Sequence, residues 1–338
     1  MSRISGRVLG RAVYGLIYGL VYGLISVVLV YVPATNAQTK GISPESLIRD
    51  MSRALARLNY EGSFVHIQND NIESMSIVHS NDNGGELEYM LSLNGEAREV
   101  FRNRALVTCI WPSSKSVIVS NSKSRQILPN VDESLTNSAS YQLAMAKSDR
   151  VAGRETFVVE IKPKDHFRYG YRIWIDKETK MLLRSMLLDS KDNTVEQVMF
   201  TNISYPESIS AERFETPSET VETLRVQAPS KAVVADGQNR VNFEVLPVGY
   251  TKIAETYKPM PLNDRPMSHV MLSDGMASVS VYVEYIDKTT QAGVALGVSS
   301  MGAMNAFTHS LDAALITVVG EVPSATVESI ALAVRLVE

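Results

Sequence analysis

From Tyr60 onward the apolar residues of this chain recur at every second position. A period of two sustained over so long a stretch restricts the fold to antiparallel sheet. Tyr60 to Gln68 alternates, and Ile72 to Ser80 follows across Asn69-Asp70-Asn71. Glu86 to Leu93 runs into Asn94-Gly95, a pair that tolerates positive φ and suits a tight hairpin turn. Glu99 to Arg102, Leu106 to Trp111 and Ser116 to Ser120 continue the meander. Strand patterns resume at Thr156 to Ile161, Tyr171 to Asp176, Met181 to Asp189 and Val195 to Tyr205, giving roughly ten strands. Between the two runs, Gln126 to Lys147 reads as a polar, partly helical insertion whose apolar residues are Leu135, Tyr141, Leu143, Met145 and Ala146. Ahead of the strands, Ser43-Pro44-Glu45 marks a helix start, and Leu47, Ile48, Met51, Leu55 and Leu58 follow at helical spacing.

So many neighbouring strands leave long edges unless the sheet curls, and a sheet curled over a helix makes a half-open barrel. The expected fold class is α+β: a half-open antiparallel β-barrel wrapped over helices, plus a smaller α+β C-terminal domain. Phe64, Met75, Tyr89, Leu91, Phe101, Val107, Ile173 and Met186 are the expected inward-facing, ligand-lining residues. A one-residue slip of register would exchange the faces, and the same residues would equally serve to fill a solid core.

A chain of 338 residues favours two domains. An irregular polar stretch opens at Thr216-Pro217-Ser218-Glu219 and runs to Asp236-Gly237. Residues 218–238 are therefore expected to link a large domain, 43–217, to a small one, 239–338. The second part regains strand character at Phe243 to Leu246, His269 to Leu272, Ser278 to Tyr285, Met304 to His309 and Ala314 to Val319, with a turn at Ser273-Asp274-Gly275. Ser324 to Val337 suits a helix capped by Ser324, with Val327, Ile330, Ala331, Val334 and Leu336 as its apolar residues.

The N-terminus reads as an export signal over residues 1–37. Arg3, Arg7 and Arg11 precede an apolar run from Ala12 to Val32, and Thr35-Asn36-Ala37 offers small residues for cleavage. The run approaches the length of a membrane span, and Gly15, Gly19 and Gly23 have the spacing of packed transmembrane helices, so an uncleaved anchor is the rival reading. Removal would take three arginines and no acid from 33 basic and 37 acidic residues, leaving a net charge of −7, which argues against a nucleic-acid partner. Cys109 is alone, so no intramolecular disulfide can form, and its apolar run Leu106 to Trp111 reads as core.

Reaction machinery is missing from the sequence. It contains no Gly-x-Ser-x-Gly elbow, His-Glu-x-x-His pair, phosphate-binding Gly-Lys-Ser/Thr loop or dinucleotide fingerprint. His66, His79, His166, His269 and His309 are scattered without metal-ligand spacing, and Asn81-Asp82-Asn83-Gly84-Gly85 reads as a turn rather than a calcium loop. The expectation is a protein without enzymatic activity, with no catalytic residues, no metal and no cofactor.

Two segments carry a resemblance. Arg172-Ile173-Trp174-Ile175-Asp176-Lys177-Glu178-Thr179-Lys180-Met181-Leu182-Leu183-Arg184 resembles a strand, turn and strand of the lipoprotein carriers LolA and LolB and of the sigma-E factor regulatory protein family (RseB/MucB). Leu272 to Glu284, Val318-Val319-Gly320-Glu321-Val322-Pro323 and Val245-Leu246-Pro247-Val248-Gly249-Tyr250 resemble the small domain of the RseB/MucB family, which the carriers lack. With Tyr60-Glu61-Gly62-Ser63-Phe64, the likeness to that family spans about residues 43 to 336.

The resemblance implies a periplasmic negative regulator of the envelope-stress response. It would bind the periplasmic part of a membrane anti-sigma factor, RseA or MucA, shield it from site-1 proteolysis, and be released by lipopolysaccharide or mislocalised lipoprotein. Flexible methionines suit adaptable interfaces, and Met260, Met267, Met271, Met276, Met301 and Met304 fall in or just before the small domain. Met267, Met271, Met276, Tyr282, Met301 and Met304 are the expected partner-binding set. The rival readings are a periplasmic lipid or lipoprotein carrier and a secreted hydrolase with an unrecognised site. Self-association stays open.

Overall fold

The computed structural model describes residues 42–82, 85–104, 106–120, 140–215, 225–227, 240–259, 266–286 and 296–337. The N-terminal apolar run, the insertion as far as residue 139, most of the expected linker and Met260 lie outside the described residues. Among the described residues no helix is long and apolar enough to cross a membrane.

Helix α1 (Pro44–Arg57) starts as its sequence dictates. Ser43 is the N-cap, its hydroxyl accepting the Ser46 amide at 3.2 Å, and Pro44 occupies the first turn, where a missing N–H costs nothing. The apolar stripe Leu47, Ile48, Met51 and Leu55 is buried.

The strands that follow are β1 (Tyr60–Gln68), β2 (Asn71–Asp82), β3 (Gly85–Ser92), β4 (Glu99–Asn103), β5 (Leu106–Trp111), β6 (Ser116–Ser120), β7 (Tyr141–Val151), β8 (Arg154–Pro163), β9 (Gly170–Asp176), β10 (Leu182–Leu188), β11 (Thr194–Ser204) and β12 (Arg225–Gln227). They form one twelve-stranded sheet in the order β12-β6-β5-β4-β3-β2-β1-β11-β10-β9-β8-β7. Its two end strands do not pair with each other, so the ladder is open rather than a closed barrel. Helix α1 lies on one face, where Leu47, Ile48 and Met51 join Phe64, Met75, Ile173 and Phe200 in a continuous core. The end of the helix is tied down by a buried histidine: His79 Nδ1 lies 2.8 Å from the Leu58 carbonyl, and its ring stacks on Tyr60.

Two expectations are corrected in this sheet. Tyr141 to Lys147 is not partly helical but opens strand β7, because Tyr141, Leu143 and Met145 alternate and pair with Pro163, Ile161 and Val159 of β8. The expected linker also contributes a strand: Arg225–Gln227 pairs in parallel with β6.

The second sheet contains β14 (Thr251–Pro259), β15 (Pro266–Ser273), β16 (Ser278–Tyr285), β17 (Gly297–Met301), β18 (Met304–Leu311) and β19 (Ala314–Gly320), in the order β14-β15-β16-β19-β18-β17. Helix α2 (Ser324–Ala333) packs on one face, burying Val327, Ile330 and Ala331 against Val281, Val283, Ile316 and Val318. A separate two-stranded ladder joins β13 (Val241–Phe243) to β20 (Val334–Leu336). Here too the sequence reading needs correction. Ser324 sits inside the helix rather than capping it, since Pro323 is the N-cap. The helix stops at Ala333, and the β-branched Val334 pairs with Phe243 instead of continuing it. Val245 and Leu246 lie beyond β13 and are not strand, while β14 and β17 are strands that the sequence pattern did not single out.

The two sheets meet through a buried polar junction. The Arg168 and Asp274 side chains are both 0% exposed, and Arg168 Nε donates to Asp274 Oδ2 at 2.6 Å. Arg168 also donates to Asp165 and to the Val248 carbonyl, and its guanidinium lies over the Tyr250 ring at 4.9 Å. Tyr141 donates to the same Asp274 carboxylate at 3.2 Å. Burial alone would pull the Arg168 pKa down, yet Asp274 and Asp165 hold it above its ordinary value. Gly249 is required here: its φ is +91°, and a Cβ would meet Ser140 Oγ at 2.7 Å and Arg168 Nη2 at 3.1 Å. A second contact is apolar. The β17–β18 turn places Ala303 against Tyr169 and Leu187 of the first sheet, and a Cβ on Gly302 would collide with Gln68.

Candidate functional site

Strand pairing decides which side chains share a face, because directly opposed residues point the same way. In the second sheet, Val279, Val281 and Val283 of β16 point toward α2, so Ser280, Tyr282 and Glu284 point to the opposite side. Following the register across the strands gives two rows on that face, which no described element covers. One row is Met271, Ser280, Val319, Ala306 and Ser299. The next is His269, Tyr282, Thr317, Thr308 and Gly297.

The face is small-residue, apolar and aromatic in character. The His269 ring stacks on Tyr282 with centroids 4.5 Å apart and planes 7° from parallel, and its Nε2 lies 3.1 Å from Ser280 Oγ. The Thr308 and Thr317 hydroxyls are 3.2 Å apart. Charge enters at the margin, where Glu284 lies opposite Met267. Most of these side chains are half-buried by their neighbours within the sheet, which holds them in place while leaving their tips accessible. Such a surface can receive a polypeptide by contact with methyl, thioether and ring groups, with hydroxyls available for hydrogen bonds.

Five of the six expected partner residues fall on this one face: Met267, Met271, Tyr282, Met301 and Met304. Met267 is buried at its end and Met301 is exposed at its edge. Met276 lies elsewhere, in the β15–β16 turn, where it packs on the core of the first sheet. Sequence reasoning missed His269, Thr317 and Val319, although His269 and Thr317 each pair directly with Tyr282, which it did choose.

The eight expected lining residues of the first sheet divide between its faces. Phe64, Met75, Val107 and Ile173 share the face that carries α1, whereas Tyr89, Leu91, Phe101 and Met186 are on the other. Phe64, Met75 and Ile173 are fully packed core beneath the helix. Tyr89 stacks on Phe101 at 4.7 Å, and with Ile110 and Val117 they form a smaller cluster on the opposite face. Burial and the neighbouring Glu99 push the Tyr89 hydroxyl up to about 12. Beside that cluster a cavity of about 520 Å³ opens between the strands and a 3-10 turn (Ala211–Phe214). Leu87, Phe101, Leu106 and Phe214 supply its apolar wall, and Arg104 and Glu215 supply its charge. Cys109 is half-buried rather than core, and burial raises its thiol pKa. No group of three or more metal-ligating side chains occurs among the described residues.

A long open sheet packed on one helix, joined to a second sheet packed on another, defines a two-sheet α+β protein whose second sheet has one face that no described element covers. The chain belongs to the MucB/RseB family: the MucB/RseB N-terminal domain model matches residues 43–218, and the MucB/RseB C-terminal domain model matches residues 235–335. The sigma factor AlgU regulatory protein MucB of Pseudomonas aeruginosa is 28% identical over 317 residues, covering 91% of this chain and 94% of that relative. The sigma-E factor regulatory protein RseB of Escherichia coli K12 is 27% identical over 294 residues, covering 85% and 88%. The fold is that of MucB as solved in complex with MucA(peri), with a TM-score of 0.67 at 24% identity over 88% of this chain and 100% of the solved one. A second structure, the MucA/MucB complex of Pseudomonas aeruginosa, gives a TM-score of 0.68 at 24% identity, covering 87% and 99%.

Proposed function

We propose that this protein is a periplasmic regulator of an envelope-stress sigma factor that acts by binding, without chemistry. It holds the periplasmic part of a membrane anti-sigma factor on the uncovered face of the second sheet. The observation that carries this reading is the convergence of Met271, His269, Tyr282, Thr317 and Val319 on the face opposite α2, which no described element covers. Family membership and the fold-level likeness to MucB, solved with MucA(peri), support it. While bound, the segment is shielded from the site-1 protease. The two family spans favour a large module over 43–217, a linker over 218–238 and a small module over 239–338, with the N-terminal 37 residues serving export.

Release by lipopolysaccharide or lipoprotein follows from linkage. An amphiphile that favours the free form weakens partner binding by the same coupling energy, about 1.4 kcal/mol for each tenfold change in affinity. The cavity beside Leu87, Phe101, Leu106 and Phe214 is the candidate acyl-chain site, with a volume in the range of small-molecule pockets. The carrier reading is weaker, because α1 already fills the helix-bearing face of the large sheet with Leu47, Ile48 and Met51.

The test is calorimetry of the purified protein with the periplasmic segment of its cognate anti-sigma factor, with and without lipopolysaccharide. Binding that Val319→Lys abolishes is the expected result. A wild-type protein with no measurable affinity for that segment overturns the proposal, and binding indifferent to lipopolysaccharide removes the release mechanism alone.

A further inference from the structure

The described sheet edges are protected unequally. Edge strand β7 carries Lys147, Asp149 and Arg150 and a bulge between Ala146 and Asp149. Edge strand β14 carries Lys252, Glu255 and Lys258, has a bulge between Lys252 and Ala254, and ends in Pro259. Charges, bulges and proline are the devices by which proteins prevent an edge from pairing with another chain. Strand β17, Gly-Val-Ser-Ser-Met, has none of them. It is hydrogen-bonded on one side to β18 and has no second neighbour among the described residues. Its apolar side chains are exposed as well: Leu296, just ahead of it, is 62% exposed, Val298 50% and Met301 74%.

The hairpin geometry says which backbone groups are free to pair. A two-residue turn, Gly302-Ala303, joins β17 to β18, with Gly302 at φ +60°. Met301 and Met304 therefore form a hydrogen-bonded pair, and the alternation of an antiparallel ladder makes Ser299 and Ala306 the next one. The N–H and C=O groups of Val298 and Ser300 point away from β18.

We infer that β17 is a docking edge on which an extended, uncharged segment of the protein partner adds as a seventh strand; this rests on the partner-binding reading above. Outward backbone donors and acceptors in a row are matched by another extended backbone. An uncharged segment fits because a charge laid against Val298 or Met301 would be desolvated without a counter-ion. A second copy of this chain fits less well. Five residues span about 17 Å, and a strand pair of that length falls short of the roughly 1,000 Å² that a stable dimer buries. A partner segment, by contrast, gains further area by continuing from β17 onto the adjoining open face through Ser299 and Ala306.

The test uses proline at an outward N–H. Val298→Pro removes a donor that β18 does not use, so the fold tolerates it while the edge is blocked. Val298→Lys, at an exposed side chain, blocks the same edge by charge, in case the proline perturbs the hairpin. Each is expected to weaken binding of the anti-sigma periplasmic segment by at least roughly tenfold, measured by calorimetry. Hydrogen exchange of the wild-type complex is expected to show new protection at the Val298 and Ser300 amides. Undiminished affinity in both variants, with no such protection in a complex that does form, overturns the docking edge and leaves the proposed function standing. Protection that rises with protein concentration in the absence of the segment also overturns it, in favour of self-pairing. Failure of the wild-type protein to bind the segment sinks both.

Discussion

The two sheets of this molecule are made of the same antiparallel ladders but use their faces in opposite ways. The first covers one face with α1 and closes part of the other with the Tyr89–Phe101 cluster and a 3-10 turn. The second covers one face with α2, and no described element covers the other. An alternating strand thus contributes core on both sides in the first sheet and core plus half-buried face in the second. Substitutions should separate these roles.

The largest effect is expected where the sheets meet. Asp274→Ala strands the buried Arg168 guanidinium without its one fully buried carboxylate partner, and breaking a buried pair in this way costs about 3–5 kcal/mol. Urea unfolding should show this loss, and an unchanged midpoint would mean that the junction is solvated. The next contrast compares the two kinds of face. Ile173→Val, under α1, should lower stability by about 0.5–1.5 kcal/mol. Val319→Lys, on the open face, should change stability by no more than about 0.5 kcal/mol while abolishing calorimetric partner binding. A reversed outcome, with Val319 controlling stability, would identify that face as covered.

The smallest effect concerns pH. His66 lies on β1 near the docked hairpin, with Nε2 3.0 Å from Glu196 and Nδ1 3.9 Å from Glu73, which Arg98 also contacts. The contact with Glu196 raises the His66 pKa against the opposing pull of burial, and Glu73 adds to the rise. A raised folded-state value means that the stabilisation is complete below the unfolded histidine value of about 6.5 and fades as pH climbs through the folded value. Denaturation midpoints measured at pH 6 and pH 9 should therefore differ more for the wild type than for His66→Asn. Equal differences would remove His66 from the pH response.

Much of this architecture is legible in the sequence because alternation survives in single strands. Tyr141-x-Leu143-x-Met145 was a strand signal hidden by the polar residues from Lys147 to Arg150 around it. Which face a residue takes is less legible, since parity is fixed only by the neighbouring strand. Tyr89 and Met90 are adjacent, yet only Met90 joins the core beneath α1. Five of the six expected partner residues came to share one face because Met267 and Met271 have the same parity along β15, and Tyr282 pairs with His269 between them. The junction left no local trace. Arg168 and Asp274 are 106 residues apart, and Asp274 reads from sequence as an ordinary turn residue.

The hairpin of β17 and β18 belongs to two boundaries at once. Its tip is wedged beside Tyr169 and Leu187 of the first sheet, and its flank is an edge that no described strand pairs with. A strand that stiffens the flank and a movement that withdraws the tip would act on one mechanical lever. By reciprocity, if a peptide adds to that flank and the two are coupled, whatever loosens Ala303 from its seat changes the grip on the peptide by the same factor that the peptide changes the seating of Ala303.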